Sequence, residues 1–416
     1  MQVSIIVIGD ELLIGQVIDT NSGDIARRLA PCGWSVNDVQ VVGDNADHIL
    51  RAIDRAFALS DVVLTTGGLG PTKDDITKGT LCRYFGGELY ENADVLANVK
   101  HVVEARGLKL NDLTAAQAIV PSSCEVIQNQ VGTAPLMWFE RDGKVLVSMP
   151  GVPFETRHMF DAEVLPRLLK HFHSDTAIVH RTLIVTGYSE SALAEKIASW
   201  EEALPTYAHL AYLPKPGIIR LRLDGIHSDE SFINAELDRL HAELASLIEP
   251  ECILATDDIT PAEILINELR SRKLTVATAE SCTGGNVAHS ITAIAGASDV
   301  YCGSVVSYSN EVKMRILDVS EADLTRCGAV SIPVVEQMVI GASRCIGTQC
   351  AMATSGIAGP GGGTPDKPVG TVCIAVTACG HTTSATYHFP GNRARIIDRA
   401  TTTAIIDLIH LLRAHC

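Results

Sequence analysis

The chain has 416 residues, 46% of them hydrophobic, with 33 Lys and Arg against 49 Asp and Glu and a net charge of −16. That length divides into two or three domains, each able to bury its own core. The acidic balance excludes a phosphate-backbone binder, which needs a basic surface to displace counterions, but leaves small anions accessible through local dipoles.

Twelve cysteines are scattered without framework spacing or any CxxC pair, which predicts reduced thiols. The opening MQVSIIVIGDELLIG lacks a basic start and carries Asp10 and Glu11 in its middle, so it reads as a first core strand and not as a secretory signal. No apolar run nears the roughly 20 residues that span a bilayer. A cytoplasmic location is expected.

From residue 1 to 170, short Val/Ile runs such as VSIIVIG, SVNDVQVVG and DVVLTTGG alternate with amphipathic stretches such as ADHILRAIDRAFALS. Continuous apolar runs separated by helices imply strands buried on both faces, hence a largely parallel α/β sheet. Ligands bind such sheets at the carboxyl ends of the strands, which points to Asp10, Asp44 and the loop from Gly67. That loop, TTGGLGPTKDDIT, offers exposed amides around Gly67, Gly68, Gly70 and Thr72 for an oxyanion, with Lys73 as an added charge. It matches neither GxGxxG nor the Walker pattern. A plainer reading is a strand-to-helix turn with Asp74 or Asp75 at the helix start. MPGVPFE, Met149 to Glu155, brackets Gly151 with two prolines and forms a rigid turn.

These four motifs, GDELLIGQVIDTN, VVGDNADHI, TTGGLGPTKDDIT and MPGVPFE, resemble the domain shared by molybdenum-cofactor biosynthesis proteins and the N-terminal half of the CinA family. The resemblance places Asp44 and Asp75 on functional aspartates of the molybdopterin-binding relatives, and for the CinA branch it implies a metal-dependent ADP-ribose pyrophosphatase. Carboxylates at strand ends suit a hard cation that neutralises a diphosphate and activates water. The cofactor is then a divalent metal, with Mg, Mn and Co not distinguished. Asp10 and Glu11 either join it or cap a turn.

Residues 175–250 change to a small α+β pattern, with HRTLIVTGYSESALAEKIASW followed by GIIRLRLDG. They resemble the KH-like domain of the same family. Their acidic setting and missing GXXG loop argue against RNA binding and for a spacer or dimer element. The stretch from Pro250 to Pro261 marks a boundary.

A second α/β unit, 256–416, begins with a buried strand, LTVATAE, running into SCTGG and an apolar helix. Ser281 and Cys282 are both candidate nucleophiles. The amides of Thr283, Gly284 and Gly285 suit an oxyanion hole, while a capping serine explains the same pattern. In GSVVSYSNEVKMRIL, Asn310 reads as the N-cap and Lys313 falls in the first helical turn, where the dipole disfavours a cation. A lysine pushed toward neutrality serves as a general base; a solvated lysine paired with Glu311 is the alternative. SGIAGPGGGTPDKPVG, with Gly359 and Gly361, is far longer than a tight hairpin needs and reads as a substrate loop or a disordered connection. Arg393 follows a Pro-Gly turn, where it meets a phosphate or caps surface acids.

In this order the three pieces resemble the C-terminal CinA domain, a nicotinamide-mononucleotide amidohydrolase. The resemblance implies Ser281, Tyr308 and Lys313 as the catalytic set, with Tyr308 as a possible proton relay, no metal in this half, and a homodimer. Thr283, Gly284, Gly285, Asn310, Gly359, Gly361 and Arg393 are the substrate-binding candidates here. A thiolate nucleophile at Cys282 needs an acid–base partner, and His289, two turns along, is its one nearby histidine. The remaining alternative is a non-catalytic nucleotide or pterin sensor. The expected architecture is two three-layer α/β domains with largely parallel sheets, joined by the KH-like unit.

Overall fold

Alternate residues of the first strand, Gln2–Ile8, enter different cores. Val3, Ile5 and Val7 pack with Ile25, Leu29 and Phe160, while Ile6 and Ile8 pack with Ile49, Ile53 and Leu81. A strand buried on both faces needs helices on both faces, so three layers follow. Each such side chain contributes about 1.5–3 kcal/mol by leaving water. The computed structural model describes residues 1–72, 75–172 and 177–416. It divides into two compact units: residues 1–178 with 227–230, and residues 179–226 with 231–416.

The sheet of the first unit runs in the order Ser35–Val42, Gln2–Ile8, Val62–Thr66, Lys144–Met149, Leu136–Arg141, Glu125–Ile127. Its first four strands are parallel and the last two antiparallel. Three parallel strand ends therefore meet at one edge, carrying Gly9, Gly43 and Gly67.

In the second unit, a four-stranded sheet is ordered Ala208–Lys215, Ile218–His227, Ala177–Val185, Ile253–Ala255. The last strand lies inside the stretch expected to be a domain boundary. It pairs antiparallel with Ala177–Val185. Moreover, Ile184, Ile218 and Leu254 share one core with Leu265, Ala404 and Leu408, so the α+β portion packs on the C-terminal portion within one compact unit. Prolines and acids signalled a break, whereas the ladder that bridges it has no local signature.

The C-terminal sheet is ordered Tyr301–Val306, Val276–Glu280, Cys350–Gly356, Thr371–Ala378, His381–His388. Three strands are parallel and the last two antiparallel, so this sheet is mixed. Thr371–Ala378 is buried throughout, and a run without alternation does not disclose its direction. One face packs Val276, Met352 and Ile374 on the helices Pro261–Arg272 and Arg393–His415. The other presents Ala279, Ala351, Ala353 and Ala375 to the helix Ile332–Ile346, which small side chains allow to approach closely.

Cys379 and Cys416 form a disulfide, correcting the expectation of reduced thiols for this pair. Their separation of 37 residues resembles no framework, and the long last helix brings the terminal residue back beside the sheet. The other ten cysteines are free. Among the described residues, no helix is long and apolar enough to cross a membrane.

Candidate active sites

The first site lies at the carboxyl ends of the parallel strands, as open α/β sheets require. Gly67 has φ 102°, and a Cβ there would lie 2.0 Å from the Ile8 carbonyl oxygen, so only glycine lets the loop cross the first strand this closely. The MPGVPFE turn closes in from the side. Asn21 Nδ2 donates to the Gly151 carbonyl at 2.9 Å, and a Cβ on Gly151 would sit 3.2 Å from the Gly67 Cα. These turns bound a pocket of about 460 Å³. Gly67, Gly68, Gly70, Thr72, Glu11, Asp44 and Asp75 line it; Asp10 does not.

The carboxylates there are largely committed to the backbone. The Asp10 amide donates to Asp44 Oδ2 at 3.1 Å, and the Asp44 amide donates to Asp10 Oδ1 at 3.2 Å. Asp75 accepts from the Gly70 amide at 2.8 Å, the Thr72 amide at 2.9 Å and the Thr72 hydroxyl at 2.6 Å, so it braces the loop instead of capping the helix Thr77–Phe85. Burial pushes the Asp44 carboxyl upward; its bond from the Asp10 amide opposes this, and the charges of Asp10, Glu11 and Asp75 add to it. Among the described residues no three His, Cys, Asp or Glu side chains converge as a metal cluster. Loop amides bond to oxygens of Asp10, Asp44 and Asp75, which keep lone pairs, and Glu11, Asp44 and Asp75 of the expected centre line the pocket together. Lys73 and Asp74 lie outside the described residues.

At the second site, the strand Val276–Glu280 ends on a glutamate with no exposed surface. Glu280 accepts from the amides of Gly285 at 2.9 Å, Val287 at 3.0 Å and Ala288 at 2.8 Å, and from the Thr283 hydroxyl at 2.7 Å. The start of the helix Asn286–Thr292 thus already holds an anion, supplied by the chain itself. The Gly284 amide bonds to the Ser281 carbonyl at 3.2 Å. This takes the amides of Gly284 and Gly285 out of the expected oxyanion hole at Thr283, Gly284 and Gly285 and leaves that of Thr283. Among the described residues no backbone carbonyl accepts from the amides of Cys282 or Thr283, which lie nearest Ser281. Glu280 was missed; its signal was an acid closing an otherwise apolar strand.

Lys313 is 1% exposed, which excludes a solvated lysine. Its Nζ lies 2.7 Å from the Ser307 carbonyl oxygen, 3.5 Å from that of Tyr308 and 3.2 Å from Ser281 Oγ. Burial lowers its pKa, while the nearby Cys282 and Glu311 act in the opposite sense. The N-cap of the helix Asn310–Leu317 is Ser309, whose side chain accepts from the Val312 amide; Asn310 is the first helical residue. Ser309 and Asn310 are both good caps, and spacing alone does not choose between them.

Tyr308 stands apart from the pair, 64% exposed. Its hydroxyl accepts from Arg393 Nη2 at 3.3 Å, and Arg393 Nη1 donates to the Gly359 carbonyl at 2.8 Å. The phenol is not between Ser281 and Lys313, which touch directly, so no relay through it is needed. The glycine-rich segment is a held loop: Lys367 Nζ donates to the carbonyls of Cys327 and Val330, both at 2.7 Å, and Ile357 and Gly370 bond across its base. A Cβ on Gly359 would meet Val369 at 2.6 Å, whereas Gly361 faces open space. Cys282 is 6% exposed, and burial pushes its thiol up to about 12, far from a thiolate at neutral pH. His289 is exposed.

Both units are α/β, and each carries polar residues in loops at the carboxyl ends of its parallel strands. Residues 4–170 match the family described as "Probable molybdopterin binding domain", and residues 258–412 match "CinA C-terminal domain". A CinA-like protein of Flavobacterium psychrophilum is 41% identical over 407 residues, 97% of each chain. Another, from Cytophaga hutchinsonii, is 42% identical over 405 residues, covering 97% of this chain and 96% of its own. The crystal structure of competence/damage inducible protein CihA from Agrobacterium tumefaciens is 39% identical, covers 37% of this chain and 93% of its own, and superposes with a TM-score of 0.36. The chain belongs to the CinA family.

Proposed function

We propose that the protein is a two-site hydrolase of pyridine nucleotides. Its C-terminal site converts nicotinamide mononucleotide to nicotinate mononucleotide and ammonia. The observation that carries this is the buried Lys313 amine 3.2 Å from Ser281 Oγ. A neutral amine has two N–H groups and one lone pair. The Ser307 and Tyr308 carbonyls accept the two N–H groups, which turns the lone pair toward the Ser281 hydroxyl. Lys313 takes that proton as Ser281 Oγ attacks the carboxamide carbon. The amides of Cys282 and Thr283 stabilise the oxyanion, each worth about 3–4 kcal/mol in comparable sites. The C–N bond then breaks as Lys313 returns the proton to the leaving nitrogen, giving ammonia and an acyl-serine. Water, deprotonated by Lys313, releases the acid.

The first site, on the same proposal, hydrolyses ADP-ribose to AMP and ribose 5-phosphate. A pocket of about 460 Å³ supports a nucleotide-sized ligand. Asp44, whose charge is disfavoured by burial and by neighbouring carboxylates, is where a cation is most favoured. One or two carboxylates fit a divalent metal that arrives with a diphosphate, since Mg²⁺ keeps waters and phosphate oxygens among its ligands. Bound there, the metal supplies charge neutralisation and an activated water. The proposal includes a cytoplasmic homodimer without membrane or nucleic-acid partners.

The test is product identification with the full-length protein. Nicotinamide mononucleotide should yield nicotinate mononucleotide and ammonia with or without EDTA, and ADP-ribose should yield AMP only when Mg, Mn or Co is present. Tight binding of either ligand without turnover of either would instead identify a nucleotide or pterin sensor.

A further inference from the structure

The end of the helix Arg393–His415 returns beside the two-residue turn, Cys379 and Gly380, that joins the strands Thr371–Ala378 and His381–His388. Two pairs of side chains meet there. Cys416 is bonded to Cys379, with their Cα atoms 6.1 Å apart, and the ring of His415 stacks on that of His381 with the centroids 4.1 Å apart. One cysteine and one histidine thus come from each side of the joint. All four residues are exposed, open to solvent and to a small ion.

The disulfide accounts for only half of this group. It needs neither imidazole, and among the described residues neither ring makes a hydrogen bond. Cys379 also sits at φ 51°, followed by Gly380 at φ 81°, in a turn whose first position favours Asn, Asp or Gly, so a cysteine there is a costly choice. Two sulfurs and two imidazoles are the donor set of a tetrahedral zinc site. With Zn–S about 2.3 Å and Zn–N about 2.0–2.1 Å, two thiolates on one ion stand about 3.8 Å apart and two nitrogens about 3.3 Å. Side-chain rotation reaches both separations from backbones already this close. In the disulfide form the sulfurs are bonded to each other and hold no metal, in keeping with the lack of an assembled cluster among the described residues.

We propose that Cys379, His381, His415 and Cys416 bind one Zn²⁺ when the disulfide is reduced. A dithiol gives the bridge two electrons and two protons and becomes a disulfide itself, leaving two thiols on the chain. Zinc then takes both sulfurs as thiolates and one neutral nitrogen of each imidazole, and two protons are released. The helix end stays fastened to the hairpin in either state, by a sulfur–sulfur bond or by the metal. The site is separate from Ser281 and Asp44 and rests on neither hydrolase assignment.

The experiment uses full-length protein reduced with dithiothreitol and freed of it by gel filtration without oxygen. Co²⁺ reports the ligands: thiolates give a sulfur-to-cobalt charge-transfer band and a tetrahedral site gives intense visible bands, whereas a cation on the oxygens around Asp44 gives neither. One cobalt per chain should show both, and Zn²⁺ should displace it while Mg²⁺ does not. Protein with the disulfide intact should show neither. The double variant His381→Asn, His415→Asn and, separately, Cys379→Ser should each weaken zinc binding by at least about a hundredfold, the upper range for losing a mere supporting partner. These positions are exposed, and thermal unfolding of the reduced, zinc-free proteins checks that each variant folds. Zinc should raise the unfolding temperature of the reduced wild-type protein and not that of the variants. A zinc site here is overturned by no thiolate–cobalt band, by a band in the disulfide form, or by one that survives either variant, which would assign it to the other ten cysteines.

Discussion

The two glycine-rich turns solve the same local problem and end with different chemistry. After Val62–Thr66, Asp75 accepts from the amides of Gly70 and Thr72, which leaves the loop spread around an open pocket. After Val276–Glu280, Glu280 draws three amides and a threonine hydroxyl inward, and the turn presents Ser281 to a buried lysine. In both, a carboxylate of the chain occupies donors that a glycine-rich helix start would otherwise offer a ligand. Free amides at such a turn must therefore be counted one by one, because an acid in the preceding strand or following loop can claim them first.

The largest effect should come from Lys313. Lys313→Met removes the proposed base and should lower turnover of nicotinamide mononucleotide by about 10²–10⁴-fold. The wild-type kcat/KM should rise with pH as the lysine loses its proton, with a midpoint below the ordinary lysine value of 10.5, since burial disfavours its charged form. A profile with no such limb, or a fully active variant, would remove the distinction drawn between the two turns.

Glu280→Ala strands the amides of Gly285, Val287 and Ala288, and should cost about 3 kcal/mol in urea unfolding. Asp75→Ala, at a more open turn, should cost about 1 kcal/mol. Equal costs would mean that the two carboxylates play one structural role. Gly341→Ala tests the support behind Lys313. A Cβ at Gly341 would lie 2.2 Å from the Leu317 carbonyl oxygen, at the end of the lysine's helix, so a shift costing about 1–3 kcal/mol should accompany a loss of activity. Smallest of all, Cys282→Ser should leave turnover within about threefold of wild type, because a protonated buried thiol does no chemistry.

Much of this was legible in the residues. Unbroken Val/Ile runs foretold burial on both faces for Gln2–Ile8 and Val62–Thr66, though not for Ser35–Val42, whose alternate residues are exposed, and a lysine on the first turn of a helix foretold a perturbed amine. What stayed hidden depends on distant pairings. Ile253–Ala255 is too short and too close to Pro250 to announce its ladder, and Thr371–Ala378 is apolar on both faces and so silent about its direction. Cys379 and Cys416 meet only because a 23-residue helix returns the chain to the sheet edge. Tyr308 looked like a relay from its place beside Asn310, yet a strand end that buries Ser307 turns the phenol toward Arg393.

In the proposed reaction Ser281 is the nucleophile of an amide hydrolysis. Ammonia release from nicotinamide mononucleotide, followed for purified full-length protein beside Ser281→Ala of equal thermal stability, tests it most directly. Steady release is expected from the wild-type protein and at least about a thousandfold less from the variant; equal release by both would contradict Ser281 as the nucleophile.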